Sequence, residues 1–299
     1  MFTIAVFWYT FFSKYIGFLY NPETQSKEFL HRNYNDLFIL AFDTNSDFKE
    51  GFNLFASKGV KIIIGPPISV DGEKALPFLR KYNMVALSAT ISSTKLLNSN
   101  YIFSFTPSNR FIVEKMKQLL AKLETKNLLL LSDPRNKQYS DEFIELLQSF
   151  RGKNIYYYNE ETLKTINPEN YDTVVMSLFA KDAARATEFL KAINPTINVV
   201  GTDSVMSADF TSYAGSAAEG VYLVYTMDYL ENPELELIHE VANFLSKHKF
   251  LSTDQFRRFI KHNVIETTRG RYNFIGNSIN RTVRIFQVVN GKYVEQENY

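Results

Sequence analysis

Short apolar runs alternate with amphipathic stretches along almost the whole chain, and few folds accept that pattern. The runs fall at 2–8, 37–42, 60–64, 84–87, 101–105, 127–131, 154–158, 173–178, 197–201, 221–226, 271–275 and 282–289. Helical periodicity fills most of the intervals, as in Phe111 to Leu123, Asp141 to Phe150, Lys181 to Ile193 and Glu234 to His248. Short, wholly apolar runs suit strands buried on both faces, and strand–helix alternation implies parallel pairing with right-handed crossovers. Val60 to Ile64 stops at Gly65-Pro66-Pro67, and Asn127 to Leu131 stops at Ser132-Asp133-Pro134. The last run differs: Val283 to Val289, Asn290-Gly291 and Lys292 to Val294 read as a hairpin on a type I′ turn, suited to closing a sheet edge.

A chain of 299 residues exceeds one ordinary core and suits two. Ser104 to Asn109, Thr226 to Pro233 and Phe274 to Arg281 are rich in turn residues and read as crossings between lobes. Three crossings make both lobes discontinuous in sequence. The expected organisation is 1–105 with 228–272 as lobe 1, and 106–227 with 273–299 as lobe 2. The predicted class is α/β: two Rossmann-like lobes of parallel sheet joined by a three-strand hinge. Helices are expected at Glu73 to Lys81 and at 253–262 as well.

Composition excludes several functions. The formal net charge is +1, so nothing favours nucleic-acid binding. Absence of cysteine removes disulfides, thiolate metal sites and a Cys nucleophile. His31, His239, His248 and His262 have no metal-ligand spacing and read as helix-surface residues. No Gly-x-Ser-x-Gly elbow, P-loop or Gly-x-Gly-x-x-Gly is present, so no enzyme is expected and no bound cofactor or metal. The apolar start lacks a basic n-region and a small-x-small cleavage site, and Lys14 interrupts it. Phe2 to Phe7 therefore reads as the first buried strand, and a secretion signal is not evident.

Several passages carry a family resemblance. They are Ala41-Phe42-Asp43-Thr44-Asn45-Ser46-Asp47, Ile62-Ile63-Ile64-Gly65-Pro66-Pro67-Ile68-Ser69 and Val85-Ala86-Leu87-Ser88-Ala89-Thr90. Further on come Asn100-Tyr101-Ile102-Phe103-Ser104-Phe105-Thr106-Pro107, Gln138-Tyr139-Ser140, Val200-Gly201-Thr202-Asp203 and Ala217-Ala218-Glu219-Gly220-Val221-Tyr222. In this order and spacing the chain resembles the type I periplasmic binding proteins, in the branch of the leucine/isoleucine/valine-binding proteins of ABC importers. The resemblance implies two lobes with a ligand held between them. That agrees with the rule that open α/β sheets bind ligands beyond the carboxyl ends of their strands.

The resemblance also nominates residues. Ser69, in the loop after a strand, would hold a ligand carboxylate; its position equally suits a helix cap. Asp71 beside it would repel an acidic group unless it faces away. Thr90 would offer backbone and hydroxyl groups, and Ser92 would bond the ligand carboxylate and amine; a polar βα turn is the plainer reading. Tyr139 would reach the ligand from lobe 2, or pack on its own helix. Phe179 stands where the resemblance often places a tyrosine, keeping a stacking wall without the hydroxyl, or filling core. Asp203 would pair with a ligand ammonium, or cap the next helix. Trp8, expected at the end of the first strand, would cover the ligand side chain or sit in the core. Around Tyr9-Thr10-Phe11-Phe12-Ser13 the sequence departs from the family's small-residue turn. Glu231 to Gly270 is also shorter than the resemblance leads one to expect.

The expected function is an extracytoplasmic, monomeric solute-binding protein. It would bind an amino acid or related small polar solute and deliver it to ABC permease subunits in the membrane. A ligand-sensing regulatory or receptor domain of the same fold is the alternative. An enzyme on a doubly wound fold comes third.

Overall fold

The structure, a computed structural model, describes residues 15–22, 25, 37–148, 150, 152–226 and 233–297. The chain divides into two compact units: Met1–Ser108 with Glu234–Asn280, and Asn109–Pro233 with Arg281–Tyr299. It therefore passes from one unit to the other three times.

The first unit holds strands β1 (Tyr15–Tyr20), β2 (Phe38–Asp43), β3 (Ile62–Ile64), β4 (Val85–Ser88) and β5 (Ile102–Ser104). Its helices in this half are α1 (Phe48–Ser57), α2 (Ser69–Lys81) and α3 (Thr94–Leu97). The second unit holds β6 (Leu128–Ser132), β7 (Lys153–Tyr157), β8 (Thr173–Ser177), β9 (Asn198–Gly201) and β10 (Tyr222–Tyr225). Its helices are α4 (Asn109–Lys122), α5 (Lys137–Leu146), α6 (Glu160–Thr165), α7 (Ala180–Ile193) and α8 (Ala208–Ala214). The chain returns to the first unit with α9 (Pro233–Lys247), α10 (Thr253–His262), β11 (Ile265–Thr267), β12 (Gly270–Tyr272), β13 (Phe274–Ile275) and β14 (Ser278–Ile279). It ends in the second unit with β15 (Arg284–Val289) and β16 (Lys292–Glu295).

The first sheet runs β13-β14-β5-β4-β3-β1-β2, and the second runs β16-β15-β10-β9-β8-β6-β7. Within each, the first five strands are parallel in the order 2-1-3-4-5. This order reverses direction between β1 and β3 in one unit and between β6 and β8 in the other. Loops leaving such a pair depart to opposite faces and open a crevice at the carboxyl ends. The core of the first sheet gathers Leu19, Phe52, Phe55, Ile63, Leu79 and Ile102; that of the second gathers Ile112, Leu119, Leu128, Leu130, Val175 and Val200. Burying each such side chain is worth about 1.5–3 kcal/mol.

The expected α/β class is the observed one, but local departures follow physical causes. The strand seated between β2 and β3 is Tyr15–Tyr20. The expected strand 2–8, with Trp8 at its end, lies outside the described residues. Gly17 makes β1 look weak in sequence, yet a Cβ there would stand 3.0 Å from Ile63 Cγ1 and 3.2 Å from Phe55. Helix α2 begins at Ser69, four residues before the expected start, with Gly72 inside it because a Cβ would meet Leu96 and Ile91 at 2.8 and 2.9 Å. Helix α5 begins at Lys137 rather than Asp141, so Tyr139 is inside the helix.

The expected strand 271–275 is two elements. Gly270–Tyr272 pairs with β11 as a separate ribbon, while Phe274–Ile275 turns back on β14, which joins β5. This hairpin extends the first sheet, and the third passage comes at Asn280, where the sequence reading placed lobe 2 from 273 onward. The final hairpin forms as expected. Asn290 (φ 52°) and Gly291 (φ 71°) make its turn, and both N–H groups donate to the Glu219 carboxylate, at 3.0 and 3.4 Å. One histidine is not a surface group, since His239 is buried; half-buried His248 packs against the rings of Phe244, Phe250 and Phe259. His239 falls on the apolar face of α9 and His248 directly follows its last residue, where imidazole packs as an aromatic.

Candidate functional site

In the first unit, three loops leave the carboxyl ends of β1, β3 and β4. Gly65 (φ 97°) starts the second of them. Ser88 Oγ donates to Pro66 O at 2.8 Å and accepts from the N–H groups of Thr90 and Ile91 at 3.1 and 2.9 Å. Thr90 Oγ1 donates to Pro67 O at 2.5 Å. These bonds fix the β3 and β4 loops to each other. They also commit the Thr90 hydroxyl proton and N–H, leaving the hydroxyl to act as an acceptor.

Ser69 is the first residue of α2 and is buried. The first intrahelical bond comes from Gly72 N–H to Ile68 O, so the N–H groups of the first turn precede the helical ladder. Ser92 and Ser93 are 1% and 0% exposed, and neither Oγ has a hydrogen-bond partner among the described residues. A buried hydroxyl without a partner costs about 1–3 kcal/mol.

Asp71 is engaged with the protein. Its Oδ2 accepts from Thr44 Oγ1 at 2.9 Å and Asn21 Nδ2 at 3.3 Å, and its Oδ1 from Lys74 Nζ at 3.4 Å. The carboxylate thus ties the ends of β1 and β2 to the start of α2, where it also complements the helix dipole. Asn21 N–H donates to Gln25 Oε1, and Gln25 in turn bonds Glu234. Burial pushes the Glu234 carboxyl up to about 7 against that bond.

In the second unit the corresponding loops leave β6, β8 and β9. Tyr139, buried on α5, donates its hydroxyl to Asp203 Oδ1. Asp203 opens a short 3-10 turn after β9 and is half-buried. Desolvation pushes its carboxyl up to about 6, against the opposing pull of the Tyr139 hydroxyl and nearby N–H groups. Burial and the facing carboxylate raise the Tyr139 phenol too, so it stays a donor. Ser204 Oγ donates to Leu178 O at 2.8 Å, which sets the Asp203 turn against the β8 loop.

Phe179 caps the start of α7, half-buried, and the Arg135 guanidinium lies 4.9 Å over its ring. Arg135 gives Nε and Nη2 to buried Asp133 at 2.9 and 2.5 Å, and Nη2 to Asp182 at 2.5 Å. Both carboxylates hold the guanidinium well above its usual range. Sequence reasoning named Tyr139, Phe179 and Asp203 but missed Arg135, Asp133 and Asp182. The signal available was Asp-Pro-Arg directly after a buried strand, read there only as a strand stop. Ser69, Thr90 and Ser92 gather around the β3 and β4 loops of one unit, and Tyr139, Asp203 and Phe179 around the β6, β8 and β9 loops of the other. Among the described residues, no group of three His, Asp or Glu side chains forms a metal site, and no helix is long and apolar enough to cross a membrane.

No family model matches the sequence, and neither does any curated protein. Solved structures do match. A leucine binding protein, LivK, from Thermotoga maritima superposes with a TM-score of 0.76 at 12% identity, covering 94% of this chain and 97% of its own. The branched-chain amino acid transporter substrate binding protein LivJ from Streptococcus pneumoniae, in complex with isoleucine, gives 0.73 at 16% identity, covering 94% and 99%. An ABC transporter substrate-binding protein from Desulfitobacterium hafniense, complexed with Leu, gives 0.69 at 13%, covering 94% and 99%. The chain has the type I periplasmic-binding-protein fold. The type I fold spans both units here, since the overlap takes in nearly the whole of each chain. At this identity the likeness is one of fold, and the site chemistry rests on the residues above.

Proposed function

We propose that this chain is an extracytoplasmic solute-binding component of an ABC importer that takes an amino acid or related small polar solute and does no chemistry on it. The reading gives the ligand carboxylate to Ser69 and Ser92 at the β3 and β4 loops. It gives the ammonium to Asp203 at the β9 loop and Tyr139 on α5, with Thr90 as a further acceptor. Phe179 forms an apolar wall. Similarity to substrate-binding proteins solved with isoleucine and Leu supports the solute class.

One observation carries the reading. Asp203 is a carboxylate whose burial raises its pKa to about 6, with one side-chain donor and no protein cation among its causes. A half-buried carboxylate in that state gains from any cation brought to it, and an ammonium is the cation an amino acid supplies. The unpartnered Ser92 hydroxyl in the other unit is the matching donor for a carboxylate.

Thermal shift against the twenty amino acids and small amides tests this. A ligand that binds only the folded state stabilises it by about 2.7 kcal/mol at a hundred times Kd. At least one compound raises the melting temperature of the native chain, and that shift is lost in Asp203→Ala and sharply reduced in Ser92→Ala. A compound that binds both variants as tightly as the native chain overturns the ammonium–carboxylate clamp. A panel without any hit overturns the amino-acid reading.

A further inference from the structure

The second sheet reverses its order between β6 and β8, and the residues leaving those two strands are Asp133 to Arg135 and Phe179. This is where an open parallel sheet has its crevice. The groups placed there are specific. Phe179 offers a half-buried ring. The Arg135 guanidinium lies over it, 4.9 Å from the ring centroid, with its side chain 57% exposed. Asp133 and Asp182 occupy Nε and Nη2, and Nη1 has no protein acceptor among the described residues. A guanidinium clamped on one edge and open on the other presents two fixed N–H donors to whatever lies along the ring. Arginine's planar fork loses little freedom on forming such bonds.

Resting on the amino-acid reading above, we propose that Arg135 determines ligand specificity: its open Nη1 edge takes the carbonyl oxygen of a neutral carboxamide side chain laid along Phe179. Charge and length both support the carboxamide. Asp133 and Asp182 outweigh the single charge of Arg135, so the cluster is net negative and disfavours a second ligand carboxylate. A purely aliphatic side chain would cover the guanidinium edge and strip its water without replacing those bonds. Asp203 follows β9 and Arg135 follows β6, two strand spacings apart, or roughly 10 Å. In glutamine the amine and the side-chain oxygen are separated by roughly 6 Å when extended. Adding a hydrogen bond of about 2.9 Å at each end spans that interval. Leucine has no acceptor.

Calorimetric titration of L-glutamine, L-leucine and L-glutamate into the native chain, Arg135→Lys and Arg135→Met tests the proposal. Lysine keeps a cation beside Asp133 and Asp182; methionine keeps an apolar chain on Phe179. The native chain binds glutamine more tightly than leucine or glutamate. Both variants lose about tenfold in glutamine affinity, the scale of one hydrogen bond to a charged donor, while leucine changes by less than about twofold. Equal losses for glutamine and leucine make Arg135 a clamp for the loop and overturn the proposal. So does a native chain that prefers leucine or glutamate. Binding of leucine without preference for glutamine leaves the amino-acid reading intact and removes only this inference; no binding of any amino acid removes both.

Discussion

Asp203 shows how one side chain links stability to binding. Its carboxyl sits at about 6 in the fold against 3.8 for an ordinary aspartate, with desolvation as the leading cause. The folded chain therefore holds this proton more tightly than the unfolded chain does. Stability from this group is greatest below pH 4 and is lost as pH rises through 6. A shift of two pKa units is worth about 3 kcal/mol, and partial exposure reduces it to about 1–2 kcal/mol. Asp203→Asn removes the titration while keeping a similar shape. Urea unfolding without ligand will find the variant about 1–2 kcal/mol more stable than the native chain at pH 8 and close to equal at pH 3.5. A variant less stable at pH 8 would show that the ionised carboxylate has a cationic partner in the folded chain. At this scale the sequence was partly readable. Asp203, Tyr139 and Ser92 stand in short motifs after apolar runs, where the order of the chain alone locates a strand's carboxyl end. Arg135 was not readable, because its meaning depends on Phe179 and Asp182, which the fold brings from another strand. The engagement of Asp71 by Thr44 and Asn21 was hidden for the same reason.

Among the elements, the loop after β3 depends on a single glycine. Gly65 has φ 97°, and a Cβ there would lie 2.5 Å from the backbone oxygen of Leu19 on β1. That oxygen cannot move without distorting β1, which is paired on both sides, with β2 and β3. Gly65→Ala therefore costs about 2–4 kcal/mol by chemical denaturation, from strain and displacement together. Gly276 is the control: its φ is 61° and nothing lies within 4 Å of its Cβ position, so Gly276→Ala costs only about 1 kcal/mol. Equal costs would mean that the β1 contact is not what requires glycine. The same contrast explains which elements were legible. Leu128–Ser132 and Thr173–Ser177 are continuous apolar strands with turn residues at their ends, and they form nearly where the pattern puts them. Tyr15–Tyr20 contains a glycine and follows a lysine, so the apolar run before it looked the better strand. Its glycine is required by Phe55 and Ile63, which only the folded sheet brings close.

At the scale of the molecule, neither unit is made from one continuous stretch. The second sheet is completed by the last segment, where β15 pairs with β10 through Leu223↔Phe286 and Val224↔Ile285. Ile285, Phe286 and Val288 are all buried there. Their burial contributes about 5–9 kcal/mol, comparable with the whole stability of an ordinary domain. The first unit's returning elements, α9 to β14, end at Ile279, before that segment begins. A chain ending at Asn280 should thus lose the second unit and keep the first. The cost to the first unit is a longer flexible connection between residues 108 and 234, and closure entropy grows only as the logarithm of loop length. Limited proteolysis of the 1–280 chain is expected to cut freely within 109–232, leaving two fragments, one from each end of the chain, that migrate together under native conditions. Protection of 109–232 equal to that of the full chain would show that β6 to β10 hold their sheet without β15. Loss of both units at once would show that the first depends on a folded second, beyond what its own core supplies.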